Sequence, residues 1–183
     1  MYIKEIISLI EDYAPLKFQA SFDNSGLLCG NPERELTSIL LCIDVTEEVI
    51  KEAIDKGHNL IISHHPLIFS GLKHITPATY VERCVIDAIR HDITIYAAHT
   101  NMDVVSNGVS GRMADKLDLY HRQILQPEGD PMDGNGFGII GELQQPVESM
   151  AFLQQIKEIF RCDRLRYTTP HTPFMQRVAV CGG

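Results

Sequence analysis

Several common signatures are missing from this 183-residue sequence. No run of about 18 apolar residues occurs, so no transmembrane helix is expected. Met1-Tyr2-Ile3-Lys4-Glu5 lacks the basic start and apolar run of a signal peptide. The five cysteines, at 29, 42, 84, 162 and 181, contain no Cys-x-x-Cys pair, which excludes a zinc ribbon and a thioredoxin-like site. Cys42, Cys84 and Cys181 lie in apolar runs and read as small core residues, and the cysteine usage fits a reducing cytoplasm. Lys and Arg form no cluster. With 16 basic against 24 acidic residues the formal charge is −8, which disfavours a surface that attracts nucleic acid or anionic lipid. Any phosphate must then be held locally, by metal. No Gly-x-Ser-x-Gly elbow, Walker loop or Gly-x-Gly-x-x-Gly fingerprint is present, which argues against serine hydrolase, nucleoside triphosphatase and dinucleotide oxidoreductase chemistry.

What is present is the mix of a soluble globular protein. Hydrophobic residues make up 44% and charged residues 22%, enough apolar material for a core, and the 13 glycines and 9 prolines are too few for a collagen-like or low-complexity chain. The length suits one domain or two small ones.

Ile3, Ile6, Ile7 and Ile10 recur at helical spacing, and Pro15 marks where that helix has ended. Phe22-Asp23-Asn24-Ser25-Gly26-Leu27 is polar and punctuated, and is expected as a loop or short edge segment. Residues 38–43 are a short apolar run, the pattern of a buried strand. Thr46 then suits a helix cap, with Glu47 and Glu48 in the first turn, Val49, Ile50, Ala53 and Ile54 on the apolar face, and Gly57 at the end. Residues 59–63 predict a second strand closed by His64-His65-Pro66, residues 80–90 a helix, and residues 94–98 a third strand closed by His99-Thr100-Asn101-Met102-Asp103. Helices over 108–117 and 149–160 and a strand over 176–181 follow. Alternation of this kind predicts an α/β fold, with a mixed or mostly parallel sheet flanked by helices and right-handed crossovers. Residues 1–119 form the expected first half, 120–137 the one candidate linker, and 138–183 the start of a second half.

In parallel sheets ligands bind outside the carboxyl ends of the strands. Three successive expected strands end there in Asp44, in His64 and His65, and in His99 with Asp103. Adjacent histidines within a strand face opposite ways, but at its exit both imidazoles can turn into one crevice, and Pro66 restricts His65 to an extended or turn geometry. Imidazole and carboxylate together suit zinc, iron, manganese or nickel without any cysteine. Two ions sharing a carboxylate can lower the pKa of a bridging water and hold a phosphate or carbonyl oxygen. Asp44 and Thr46 read first as helix caps and second as groups orienting a ligand imidazole. Asp23 and Asn24 read as turn formers that could line a pocket rim. His58, His74, His91, His121 and His171 stand alone and read as surface or packed residues. No catalytic residue beyond the metal ligands is assigned.

Phe-Asp-Asn-Ser-Gly-Leu (22–27), Ile43-Asp44-Val45-Thr46, Ile61-Ile62-Ser63-His64-His65-Pro66, Tyr96-Ala97-Ala98-His99-Thr100-Asn101-Met102-Asp103 and Val178-Ala179-Val180-Cys181-Gly182-Gly183 resemble, in order, the motifs of the Nif-three-like family. Gly138-Ile139-Ile140-Gly141-Glu142 resembles the segment that re-enters the family's fold. Members are described as homologues of GTP cyclohydrolase 1 type 2. The resemblance implies a cytoplasmic α/β protein, a dinuclear divalent-metal centre, and a toroidal homohexamer. It maps His64, His65 and Asp103 onto metal ligands, with His99 beside them. The family completes its site with a His and a Glu four apart beyond the Gly-Gly turn, which this sequence does not reach. The expectation is therefore a compact version whose C-terminal region is absent, with two metals per subunit only where those ligands exist. The function expected is metal-dependent hydrolysis of a nucleotide-like or other small phosphorylated substrate. The alternative is a metal-binding regulatory or scaffold protein without turnover. Neither a membrane nor a nucleic acid is an expected partner.

Overall fold

The structure is a computed structural model and describes residues 1–128 and 134–182. The chain divides into two compact units, Met1–Met102 and Asp103–Gly183.

The first unit opens with α1 (Ile3–Tyr13), whose Ile3 and Ile7 are buried. Its first turn is closed by the Tyr2 amide donating to Glu5 Oε2 at 2.6 Å. Ala14, before Pro15, is already out of helical geometry, as the proline ring demands. Four strands follow: β1 (Gly26–Cys29), β2 (Ile39–Cys42), β3 (Leu60–Ser63) and β4 (Thr94–Ala97), joined in the order β1-β4-β3-β2. β2, β3 and β4 are parallel, whereas β1 runs antiparallel to β4 at the edge. The sheet is therefore mixed. The crossover helices are α2 (Glu47–Lys56) and α3 (Tyr80–Arg90). Thr46 caps α2 by accepting from the Val49 amide, and Gly57 closes it at φ 72°, a left-handed conformation open to glycine.

β3 and β4 are buried on both faces, whereas the edge strand β2 has no fully buried residue and leaves Leu41 exposed. Ile61 and Ile95 pack with Ile50 and Ala53 of α2 and with Cys84, Val85 and Ala88 of α3. Leu60 and Tyr96 pack on the opposite side with Ile3 and Ile7 of α1. Successive residues of a strand thus serve two cores.

The second unit carries α5 (Val109–Lys116), α6 (Ser149–Ile159) and an antiparallel sheet in the order β5-β6-β7, from β5 (Tyr120–Pro127), β6 (Gly136–Glu148) and β7 (Phe174–Val180). A short helix, α4 (Thr100–Val104), spans the junction of the two units in sequence. Ala114, Leu117, Leu119, Ile139, Phe152 and Val180 form the second unit's core. Residues 120–137, expected as a linker, begin with β5 and end in β6, and 129–133 lie outside the described residues, as does Gly183 of the Gly-Gly turn. Cys84 is buried, but Cys181, expected in a core, is exposed, because β7 ends one residue before it. No described helix is long and apolar enough to cross a membrane.

Candidate metal centre

Register puts the chemistry at one edge. Cys42 pairs with Ser63, and Ser63 with Ala97, so three parallel strands finish on one row. Backbone bonds extend the ladder past that row: His64 N donates to Cys42 O at 3.1 Å, His65 N to Ile43 O at 2.9 Å, and Ala98 N to Ser63 O at 2.9 Å. Asp44, His64, His65 and His99 leave the sheet just beyond it. Because β1 is antiparallel and Gly26 pairs with Ala97, the residues preceding β1 reach the same edge, and among them is Asp23.

The three imidazoles converge. Ring centroids are 5.0 Å apart for His64 and His65, 5.3 Å for His64 and His99, and 5.5 Å for His65 and His99. One ligand atom from each ring lies within 4.8 Å of the others. Every Nδ1 faces an oxygen: Ala98 O at 2.9 Å from His64, Asp44 Oδ1 at 2.7 Å from His65, and Asp23 Oδ1 at 2.8 Å from His99. A carbonyl and two carboxylates can only accept, so each Nδ1 carries the proton and the Nε2 lone pair is the donor each neutral ring presents to a cation. Such outer partners, which fix tautomer and ring orientation, are typical of metal-binding histidines. The donor set fits zinc, iron, manganese or nickel.

Asp23 is the buried anchor. Its side chain has no exposed surface, while His99 retains 18% and His65 50%. Besides His99 it accepts from the Thr100 hydroxyl, the Thr100 amide at 3.1 Å, the Ser25 hydroxyl at 2.7 Å and the Asn24 amide at 2.6 Å. Burial alone would raise its pKa, but these bonds from Thr100, His99, Ser25 and Asn24 prevail and hold the carboxyl well below the usual carboxylate range. Asn101, fully buried, braces the same turn: Oδ1 accepts from the His99 amide at 3.0 Å and Nδ2 donates to Ala14 O at 2.7 Å.

The sequence reading of Asp23 as a turn former was thus incomplete, and that of Asp44 as a cap is corrected: Thr46 caps α2 and Asp44 engages His65. Asp103 lies on α4 and is buried, and a Cβ on Gly182 would come within 3.5 Å of its Oδ1. Cys42 ends β2 on the same row, and burial together with the Asp44 carboxylate pushes its thiol up to about 11.

A family model described as Duf34/NIF3 (NGG1p interacting factor 3) matches residues 1–183. A Clostridium perfringens protein named GTP cyclohydrolase 1 type 2 homolog is 36% identical over 184 residues, spanning 100% of this chain and 70% of the relative. The crystal structure of a Bacillus cereus protein related to NIF3 superposes with a TM-score of 0.91 at 25% identity, covering 100% of this chain and 76% of that one. A Staphylococcus aureus hypothetical protein, SA1388, gives 0.88 at 28% identity, covering 100% and 72%.

Proposed function

The chain belongs to the Duf34/NIF3 family, and on that footing we propose that it binds divalent metal through His64, His65 and His99 and hydrolyses a nucleotide-like or other small phosphorylated substrate. The observation that carries the reading is that all three imidazoles offer a nitrogen within 4.8 Å of the others, with each Nδ1 held by an oxygen. Asp103 enters as a further ligand on the strength of the motif it shares with His99. A second ion per subunit, a cytoplasmic location and a toroidal homohexamer belong to the same proposal and rest on family membership. When bound, the metal supplies Lewis acidity and lowers the pKa of a coordinated water.

The protein's own groups do the positioning. Asp23 keeps water from one side of His99, whereas the half-exposed His65 and the exposed Asp44 leave the other side open, so substrate approaches past that pair. Ala98 O, Asp44 and Asp23 retain the Nδ1 protons and prevent ring rotation. A charge of −8 does not repel a phosphate from such a centre, because a bound cation inverts the local field.

Metal analysis of the purified protein tests the reading. Wild type is expected to retain zinc, iron, manganese or nickel after dialysis, and His64→Ala, His65→Ala and His99→Ala to lose it. Equal metal in wild type and all three variants would overturn the site. Turnover of GTP with zinc, manganese or iron added then separates hydrolase from scaffold: a metal-loaded protein inert to a broad nucleotide panel favours a binding role without turnover.

A further inference from the structure

Two exposed phenylalanines are held together on the loops that build the metal edge. Phe22 is 67% exposed and Phe69 51%, yet their rings lie 6.4 Å apart, tilted by 39°, within the range of a direct aromatic contact. Phe22 immediately precedes Asp23, so its Cα lies about 3.8 Å from the Cα of the residue that anchors His99. Phe69 follows His65 by four residues on the same outgoing segment, behind the buried Leu67. Asn24 ties the two loops, its Nδ2 donating to Ile68 O at 2.6 Å. Both aromatic side chains are therefore fastened, from either side, to segments that position the histidines. Single exposed apolar residues are ordinary, but a tethered pair of exposed rings beside a polar centre is a feature of ligand sites.

We propose that Phe22 and Phe69 form an aromatic clamp that takes a flat heterocyclic ring, so that the preferred ligand of the histidine centre is a nucleobase-like compound and not a plain phosphate ester. The inference rests on the hydrolase reading and sharpens its substrate class. A ring stacked between two faces needs about 7 Å, from two van der Waals gaps of about 3.5 Å. The two rings now touch, tilted by 39°, so the slot forms when the exposed side chains swing apart about χ1 and turn their faces parallel. A ring so held leaves its sugar or phosphate arm to reach past His65, whose side is open.

Calorimetric titration with GTP and with inorganic tripolyphosphate, which has the charge but no ring, tests the clamp in wild type, F22A/F69A and F22L/F69L. The leucine pair keeps apolar bulk and removes the aromatic face. Both positions are exposed, so folding is expected to be unchanged by circular dichroism. GTP is expected to bind wild type more tightly than tripolyphosphate, and both double variants to weaken GTP about tenfold or more, the effect of losing a base–aromatic stack, while tripolyphosphate changes less than about twofold. Equal affinity of wild type for the two ligands overturns the proposal, as does unchanged GTP binding in the variants or equal weakening of both ligands. A changed oligomeric mass with ring preference intact also overturns it, and identifies the pair as a subunit contact. Each titration is run on zinc-loaded and zinc-stripped protein. If the two behave alike the metal reading fails, while the comparison of ring with no ring still decides the clamp.

Discussion

Asp23→Ala is the most informative single change, because it leaves every proposed ligand residue in place and removes only the group that holds His99. The carboxylate accepts from His99 Nδ1, the Thr100 amide and hydroxyl, the Ser25 hydroxyl and the Asn24 amide, with no exposed side-chain surface. The two hydroxyls can rotate to other acceptors and Asn24 is exposed, so two donors are stranded in a buried place: His99 Nδ1–H and Thr100 N–H. A stranded buried donor costs about 1–3 kcal/mol, and water entering the vacated volume relieves part of it, so the expected loss is about 2–4 kcal/mol. That is a large share of the 5–15 kcal/mol typical of a folded domain, and it corresponds to a fall in Tm of roughly 5–15 °C. Zinc affinity should fall about 10- to 100-fold, as when other groups orienting ligand imidazoles are removed. Urea unfolding followed by circular dichroism reads the first effect, and competition with a chromophoric chelator the second. The sign with pH is fixed. Since the folded pKa is depressed, the stability it contributes is fully present above the unfolded value, about 4, and is lost as pH falls through the folded value. The gap between wild type and Asp23→Ala should therefore stay level from pH 5 to about pH 8 and narrow below about pH 4. A variant that binds zinc and unfolds as wild type does would refute the positioning argument.

Three further outcomes follow from the same coordinates. Asp44→Ala should weaken zinc binding less than Asp23→Ala in the same chelator assay, because Asp44 is 66% exposed and water can replace it on His65 Nδ1. Gly30→Ala should lower the urea-unfolding free energy by about 3 kcal/mol or more, since φ is +102° and the new Cβ would sit 2.5 Å from Thr94 Cα and 2.9 Å from Ile93 O, both backbone. Thr46→Ala removes the cap on the Val49 amide and should lower the same quantity by about 1 kcal/mol with zinc affinity unchanged, which would separate helix stability from the metal edge.

The elements that were legible from sequence are those whose burial is periodic. α3 spans Tyr80–Arg90, as its apolar spacing predicts, and β2, β3 and β4 stand within a residue or two of the expected runs, because strands that feed two cores carry apolar residues in succession, interrupted here only at their ends by Ser63 and Thr94. β5 was not legible. Seven of its eight residues are exposed, so neither alternation nor a continuous apolar run marks it, and the pairing that makes it a strand comes from β6. β1 was half legible for a related reason: four residues beginning at a glycine with φ 111° look like a turn until β4 supplies their partners.

The same distinction governs the site. His64, His65 and His99 could be brought together on paper because they follow parallel strands, and parallel strands in register must finish on one edge. Asp44 was in the right place but carried two roles, cap first and orienting group second. The choice was settled two residues later, where Thr46 took the cap and left the carboxylate to His65. Asp23 lies 76 residues from His99 and precedes its strand instead of following it. Only an antiparallel edge strand delivers a preceding residue to the carboxyl edge of its neighbours, and strand direction is a property of pairing that residues 22–29 do not encode locally. The signal that was available is chemical. An Asp followed by Asn, Ser and Gly is a good turn, but in an α/β chain with two histidine-bearing strand ends it is also a carboxylate one short strand away from them. A metal-ligand imidazole needs an acceptor for its second nitrogen. Counting acceptors against histidines, as well as ligands against metals, makes Asp23 a candidate partner for His99 but does not select it, because a backbone carbonyl serves equally, as Ala98 O does for His64.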